Sequence, residues 1–134
     1  MPAQYPHSVE MILGVTRGPV AADEVVEAYP WPDGRRWVRA MMVTTLDGAA
    51  SGPDGLSGSI SGEADKLVFD AVRREADAVL IGAGTMRAER YGPFKGRPRL
   101  AILSRSLDLP WDEAVFTGSR ERPLILPGAD ADPS

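Results

Sequence analysis

The chain has no cysteine and a single histidine, His7. Disulfides and thiolate metal sites are thereby excluded, and a histidine-built metal site or catalytic triad would need imidazoles from elsewhere. Lysine is scarce as well: of the 15 basic residues only Lys66 and Lys95 are lysine, the rest being arginine. No window concentrates that charge and the formal net charge is −4, so a groove neutralising many nucleic-acid phosphates is not expected. Long hydrophobic runs are missing too. None approaches the roughly 18 residues of a membrane span, and the N-terminus lacks a basic region followed by an apolar one. The expectation is a cytoplasmic protein with neither nucleic acid nor membrane among its partners.

What is present is ordinary globular material: 134 residues, 43% hydrophobic and 25% charged, enough for one domain with one core. Val9 to Leu13 reads as an edge strand or strap. Ala22, Val25, Val26 and Tyr29 recur at helical spacing until Pro30 stops them, and Trp31 to Gly34 is turn chemistry. Together residues 1–36 form an N-terminal strap and helix. Trp37 to Thr45 reads as a strand, with Ala40 to Val43 apolar throughout, as expected of burial on both faces; Met41 and Met42 are core filler, and Trp31, Trp37 and Trp111 packing residues. A Gly/Ser-rich loop runs from Asp47 to Ser61. Ser61 can cap a helix whose stripe is Ala64, Leu67, Val68, Ala71 and Val72. Ala78–Ile81, Leu100–Leu103 and Leu124–Leu126 are further strands, with a short helix starting near Thr85. That rhythm predicts an α/β fold, a mostly parallel sheet with flanking helices. Residues 128–134 read as a frayed tail.

Three segments carry chemistry. Thr44-Thr45-Leu46-Asp47-Gly48 stops a strand abruptly at the sheet edge where ligands of open α/β sheets sit, and Ser57-Gly58-Ser59-Ile60-Ser61 follows with three hydroxyls. Val79-Leu80-Ile81-Gly82-Ala83-Gly84-Thr85-Met86 is a strand, a glycine turn and a helix start, where small residues let phosphate approach free backbone N–H groups. Arg99-Leu100-Ala101-Ile102-Leu103-Ser104-Arg105 ends a strand on a hydroxyl and a guanidinium fork suited to phosphate. In this order and spacing, over Val38 to about Leu109, the three segments resemble the dihydrofolate-reductase superfamily, and in particular the pyrimidine reductase domain of riboflavin biosynthesis.

The resemblance implies an NADPH-dependent oxidoreductase that transfers hydride to a ribosylaminopyrimidine. It implies cofactor contacts at Thr45, Asp47, Ser61, Gly82, Gly84 and Thr85, and a grip on the 2′-phosphate by Ser104 and Arg105. Ser57 and Ser59 would meet substrate. On the helix after Ser61, Asp65, Phe69 and Arg73 follow at i+4 steps; Asp65 matches a catalytic acid, Phe69 a ring-packing residue and Arg73 a phosphate contact. Arg87-Ala88-Glu89-Arg90 departs from the commoner Ala-Asp-Asp-Pro of the riboflavin enzymes, which leaves the substrate open: a pteridine or dihydrofolate-type reductase is the alternative within the class, and a non-catalytic fragment of the fold the alternative outside it. The resemblance also implies that residues 1–134 are the N-terminal part of a longer domain, inactive alone and homodimeric when complete.

Overall fold

The computed structural model describes residues 8–11, 18–129 and 131; His7, the end of the expected strap at Ile12 and Leu13, and most of the expected tail lie outside them. The chain divides into two units, one up to Arg73 and one from Arg74.

In the first unit, β1 (Ser8–Met11) pairs antiparallel with β2 (Gly18–Ala21), Val9 opposite Val20. The expected helix over Ala22–Tyr29 is reduced to a 3-10 turn at Val25–Ala28. A turn closed by the Glu24 amide on the Ala21 carbonyl takes up the first residues and Pro30 ends the rest, leaving too little length for helix propagation to repay nucleation. The serine-rich loop holds a second 3-10 turn at Ser57–Ser59. It leads into α1 (Glu63–Arg74), whose Leu67, Ala71 and Val72 are buried. Leu67 and Ala71 pack with Val20 and Val25, while Ala64, expected in the stripe, is exposed.

The largest departure is at Trp37–Thr45. The segment takes no regular secondary structure; from Val38 on it alternates between exposed and half-buried residues, and among the described residues it has no strand partner. Val38 is 89% exposed and Met42 77%, so Met42 is not core filler, and Trp37 is half exposed rather than packed. An apolar run becomes a doubly buried strand only where neighbours supply hydrogen bonds at both edges and cover on both faces. What ties the segment down is Arg39. Its guanidinium donates to the carbonyls of Tyr29 and Pro30 at 2.8 and 2.9 Å and lies 4.5 Å from the Trp31 ring centroid.

In the second unit the expected parallel sheet is present. β3 (Ala78–Gly82) leads into α2 (Ala83–Glu89), then come β4 (Arg99–Ser104), α3 (Ala114–Thr117) and β5 (Leu124–Pro127). The strand order is β3-β4-β5, all parallel, with Ile81 opposite Ile102 and Ile102 opposite Ile125. Period-two alternation divides the sheet into two faces. Val79, Ile81, Leu100, Ile102 and Ile125 pack with Met86 of α2 and with Val115 and Phe116 of α3. The opposite face holds buried Ala101 but leaves Leu80, Leu103, Leu124 and Leu126 between 39% and 58% exposed. Trp111, at 51% exposed, is less packed than expected, its ring resting 5.1 Å from that of Phe116.

Candidate functional site

The segment 37–45 is closed by a tight Asp-Gly turn. The Thr45 and Gly48 amides donate to the Ala49 and Thr45 carbonyls at 3.0 and 2.9 Å, and the Thr45 hydroxyl accepts the Ala49 amide at 2.9 Å. Gly48 sits at φ +88°, where a side chain would be strained. The same hydroxyl donates to the Asp47 carboxylate. That bond, with backbone amides assisting, holds the Asp47 carboxyl below its ordinary pKa, because a carboxylate that accepts hydrogen bonds is favoured over the acid. Thr45 and Asp47 thus form one local cluster.

A second cluster organises the serine loop around a residue the sequence reading missed. Asp54 Oδ1 accepts the Leu56 amide at 3.0 Å and the Ser59 hydroxyl at 2.8 Å, and these two bonds, in that order, lower the Asp54 carboxyl from its ordinary value. Ser59 also donates to the Leu56 carbonyl at 2.9 Å. A Cβ on Gly52 would collide with the Ser59 hydroxyl oxygen, so the loop closes tightly on itself. The signal for Asp54 was its place in Pro53-Asp54-Gly55, where an aspartate side chain characteristically bonds a backbone amide two residues on. The structure gives the Ser59 hydroxyl these loop partners, while Ser57 stands at the start of the 3-10 turn.

On α1 the three expected residues share one face, each half-buried. The Ser61 hydroxyl donates to Asp65 Oδ2 at 2.6 Å, so it meets the helix through the Asp65 side chain. One turn on, the Arg73 guanidinium lies 5.4 Å from the centroid of the Phe69 ring.

The remaining expected contacts all belong to the second unit, at the C-terminal edge of its sheet. Gly82 ends β3 opposite Leu103, so the glycine turn and the Ser104-Arg105 pair terminate adjacent strands. The helix starts two residues earlier than expected, at Ala83, and takes Gly84 and Thr85 into its first turn. Gly82 has ordinary extended angles, φ −80° and ψ 150°, and a Cβ on Gly82 or Gly84 would meet nothing within 4 Å. Neither backbone strain nor packing demands glycine at these positions. Open backbone of this kind fits the approach of a pyrophosphate. Ser104 is 2% exposed, whereas Arg105 is exposed. The β4 end is braced from β5: the Gly128 amide donates to the Ser104 carbonyl at 3.3 Å, and a Cβ on Gly128 would stand 2.9 Å from the Arg105 carbonyl oxygen. Among the described residues no His, Asp or Glu group of three or more could hold a metal ion, and no helix is long and apolar enough to cross a membrane.

No curated protein matches the chain. Among solved structures it is similar to a pyrimidine reductase-like protein from Corynebacterium diphtheriae, at 27% identity and a TM-score of 0.68. The match covers 81% of this chain but 51% of that one, so the chain spans about half the length of that relative. Residues 36–133 match the RibD C-terminal domain, the range that holds every expected site residue. With most of its length inside that match, the chain belongs to the RibD C-terminal domain family, the pyrimidine reductase domain of riboflavin biosynthesis.

Proposed function

We propose that this chain carries the cofactor- and substrate-binding elements of an NADPH-dependent reductase acting on a ribosylaminopyrimidine. The observation that carries the reading is the sheet edge of the second unit, where a glycine turn with open backbone and an exposed arginine end adjacent parallel strands. In this reading Gly82, Gly84 and Thr85 receive the pyrophosphate and Arg105, beside buried Ser104, takes the 2′-phosphate. Thr45, Asp47 and Ser61 are further cofactor contacts in the same reading. When bound, the cofactor supplies a hydride for the C1′ carbon of the ring-opened ribosylamino group.

The chain's own residues bind, orient and exclude water. Ser57 and Ser59 face the substrate from a loop whose shape Asp54 holds. Arg73, kept over Phe69, takes the substrate phosphate. Asp65, held by Ser61, is the group this helix offers for proton transfer. A cytoplasmic setting and a homodimer belong to the same reading, and the exposed leucine face of the sheet supports an assembly that covers it.

Titration calorimetry with NADPH and NADH tests the cofactor assignment. A complete protein carrying this sequence is expected to bind NADPH well above NADH, and Arg105→Ala to remove most of that preference, since a charge-assisted contact is worth ~1.5–3 kcal/mol. Full preference retained in Arg105→Ala removes the assignment.

A further inference from the structure

We propose that Arg87 is a positioning residue for cofactor selectivity, holding the loop that carries Arg105 at a fixed spacing from the glycine turn. The inference rests on the cofactor reading above and adds a residue to it.

Arg105 begins a stretch, residues 105–109, with no regular structure of its own. An arginine on a free loop would lose much of its value as a phosphate contact, because ordering the loop would cost binding free energy. Here the stretch is held at both ends. Gly128 braces its start through the Ser104 carbonyl, and Leu109, 6% exposed, anchors its end in the core beside Met86 and Val115. Between them the backbone makes a strained bend, with Leu107 at φ +59°. A leucine in the left-handed region persists only where its surroundings over-determine it.

Arg87 supplies such a constraint. Its Nη1 donates to the Asp108 carbonyl at 2.6 Å, one residue past the bend, while the Asp108 carboxylate lies farther off, at 4.0 Å. The carboxylate contact is exposed and screened by water, and contributes little. The main-chain bond is the short, charge-assisted one. Arg87 projects from α2, the helix that starts directly at Gly82-Ala83. The guanidinium therefore joins the element proposed to receive the pyrophosphate to the loop proposed to grip the 2′-phosphate. NADH has the first group and lacks the second. Loosening the strut therefore weakens NADPH binding and spares NADH binding.

The experiment measures dissociation constants for NADPH and NADH on wild type, Arg105→Ala, Arg87→Ala and Asp108→Ala. Arg87→Ala is expected to lower the NADPH:NADH preference roughly three- to tenfold with NADH affinity unchanged. Asp108→Ala keeps the main-chain acceptor and is expected to retain the wild-type ratio. If Arg87→Ala does not fold, Arg87→Gln, which keeps the aliphatic stem but not the guanidinium, replaces it. An unchanged ratio in the Arg87 variant beside a collapsed ratio in Arg105→Ala overturns the positioning role alone, as does an equal loss for both cofactors. An unchanged ratio in Arg105→Ala overturns the cofactor assignment beneath it.

Discussion

Two apolar runs of similar composition, Ala40–Val43 and Leu100–Leu103, met opposite ends. The second became the central strand of a parallel sheet, with Leu100 and Ile102 at 1% and 0% exposure. The first takes no regular secondary structure, with Met42 77% exposed and, among the described residues, no partner strand. Both carry the same local preference for an extended backbone. The difference is that β4 has β3 and β5 at its edges and α2 and α3 over one face. Burial is thus a property of the neighbours that a run meets, which its own residues do not encode.

The comparison breaks most visibly under truncation of each run. Ile102→Ala empties a site with no exposure and is expected to lower unfolding free energy by about 2–5 kcal/mol in denaturant titration. Met42→Ala removes a side chain already in water and is expected to stay within about 0.5 kcal/mol. A loss at Met42 comparable to that at Ile102 would mean that the segment carrying Met42 is covered in solution.

A smaller effect sharpens the contrast inside the first unit, which is not uniformly open. Gly52→Ala places a methyl against the Ser59 hydroxyl and is expected to cost about 1–3 kcal/mol as overpacking. Amide exchange across residues 52–59 should accelerate while exchange in α1 stays unchanged. Uniform acceleration throughout the first unit would show that the loop and the helix open together.

The smallest effect is one of pH. The Asp54 carboxyl is lowered by the Leu56 amide and the Ser59 hydroxyl. A lowered folded-state pKa favours the ionised form, so the loop bonds are fully present above the ordinary carboxylate pKa of about 3.9 and are lost as pH falls through the lower folded value. Protection of the Leu56 amide, corrected for intrinsic exchange, should be flat from neutrality to about pH 5 and fall only in more acid solution. Asp54→Asn should remove the fall; if the variant keeps it, another group controls the loop.

Much of the second unit was legible from local pattern. β3, β4 and β5 lie where the apolar runs placed them, and α1 follows its stripe from Leu67 to Val72. Short elements were not legible. β2 contains Gly18 and Pro19 and exists through its pairing with β1, and α3 is four residues long, below any periodic signal. The site divides in the same way. Gly82, Ser104 and Arg105 stood out because each chemistry-bearing residue directly ends a strand. Asp54 and Arg87 did not, because their roles lie in whom they bond: Ser59, five residues from Asp54, and the Asp108 carbonyl, 21 residues from Arg87.

The amino-acid sequence by itself determined the α/β class, the strands of the parallel sheet, the helix after the serine loop and the family, since these follow from hydrophobic period and from short motifs in fixed order. Tertiary structure alone decided which apolar run was buried, that a strut runs from α2 to the loop after β4, and that Ser104 is enclosed while Arg105 faces water. Period and motif are properties of neighbouring residues along the chain, whereas cover, strand pairing and a guanidinium's reach depend on residues that folding brings together from a distance.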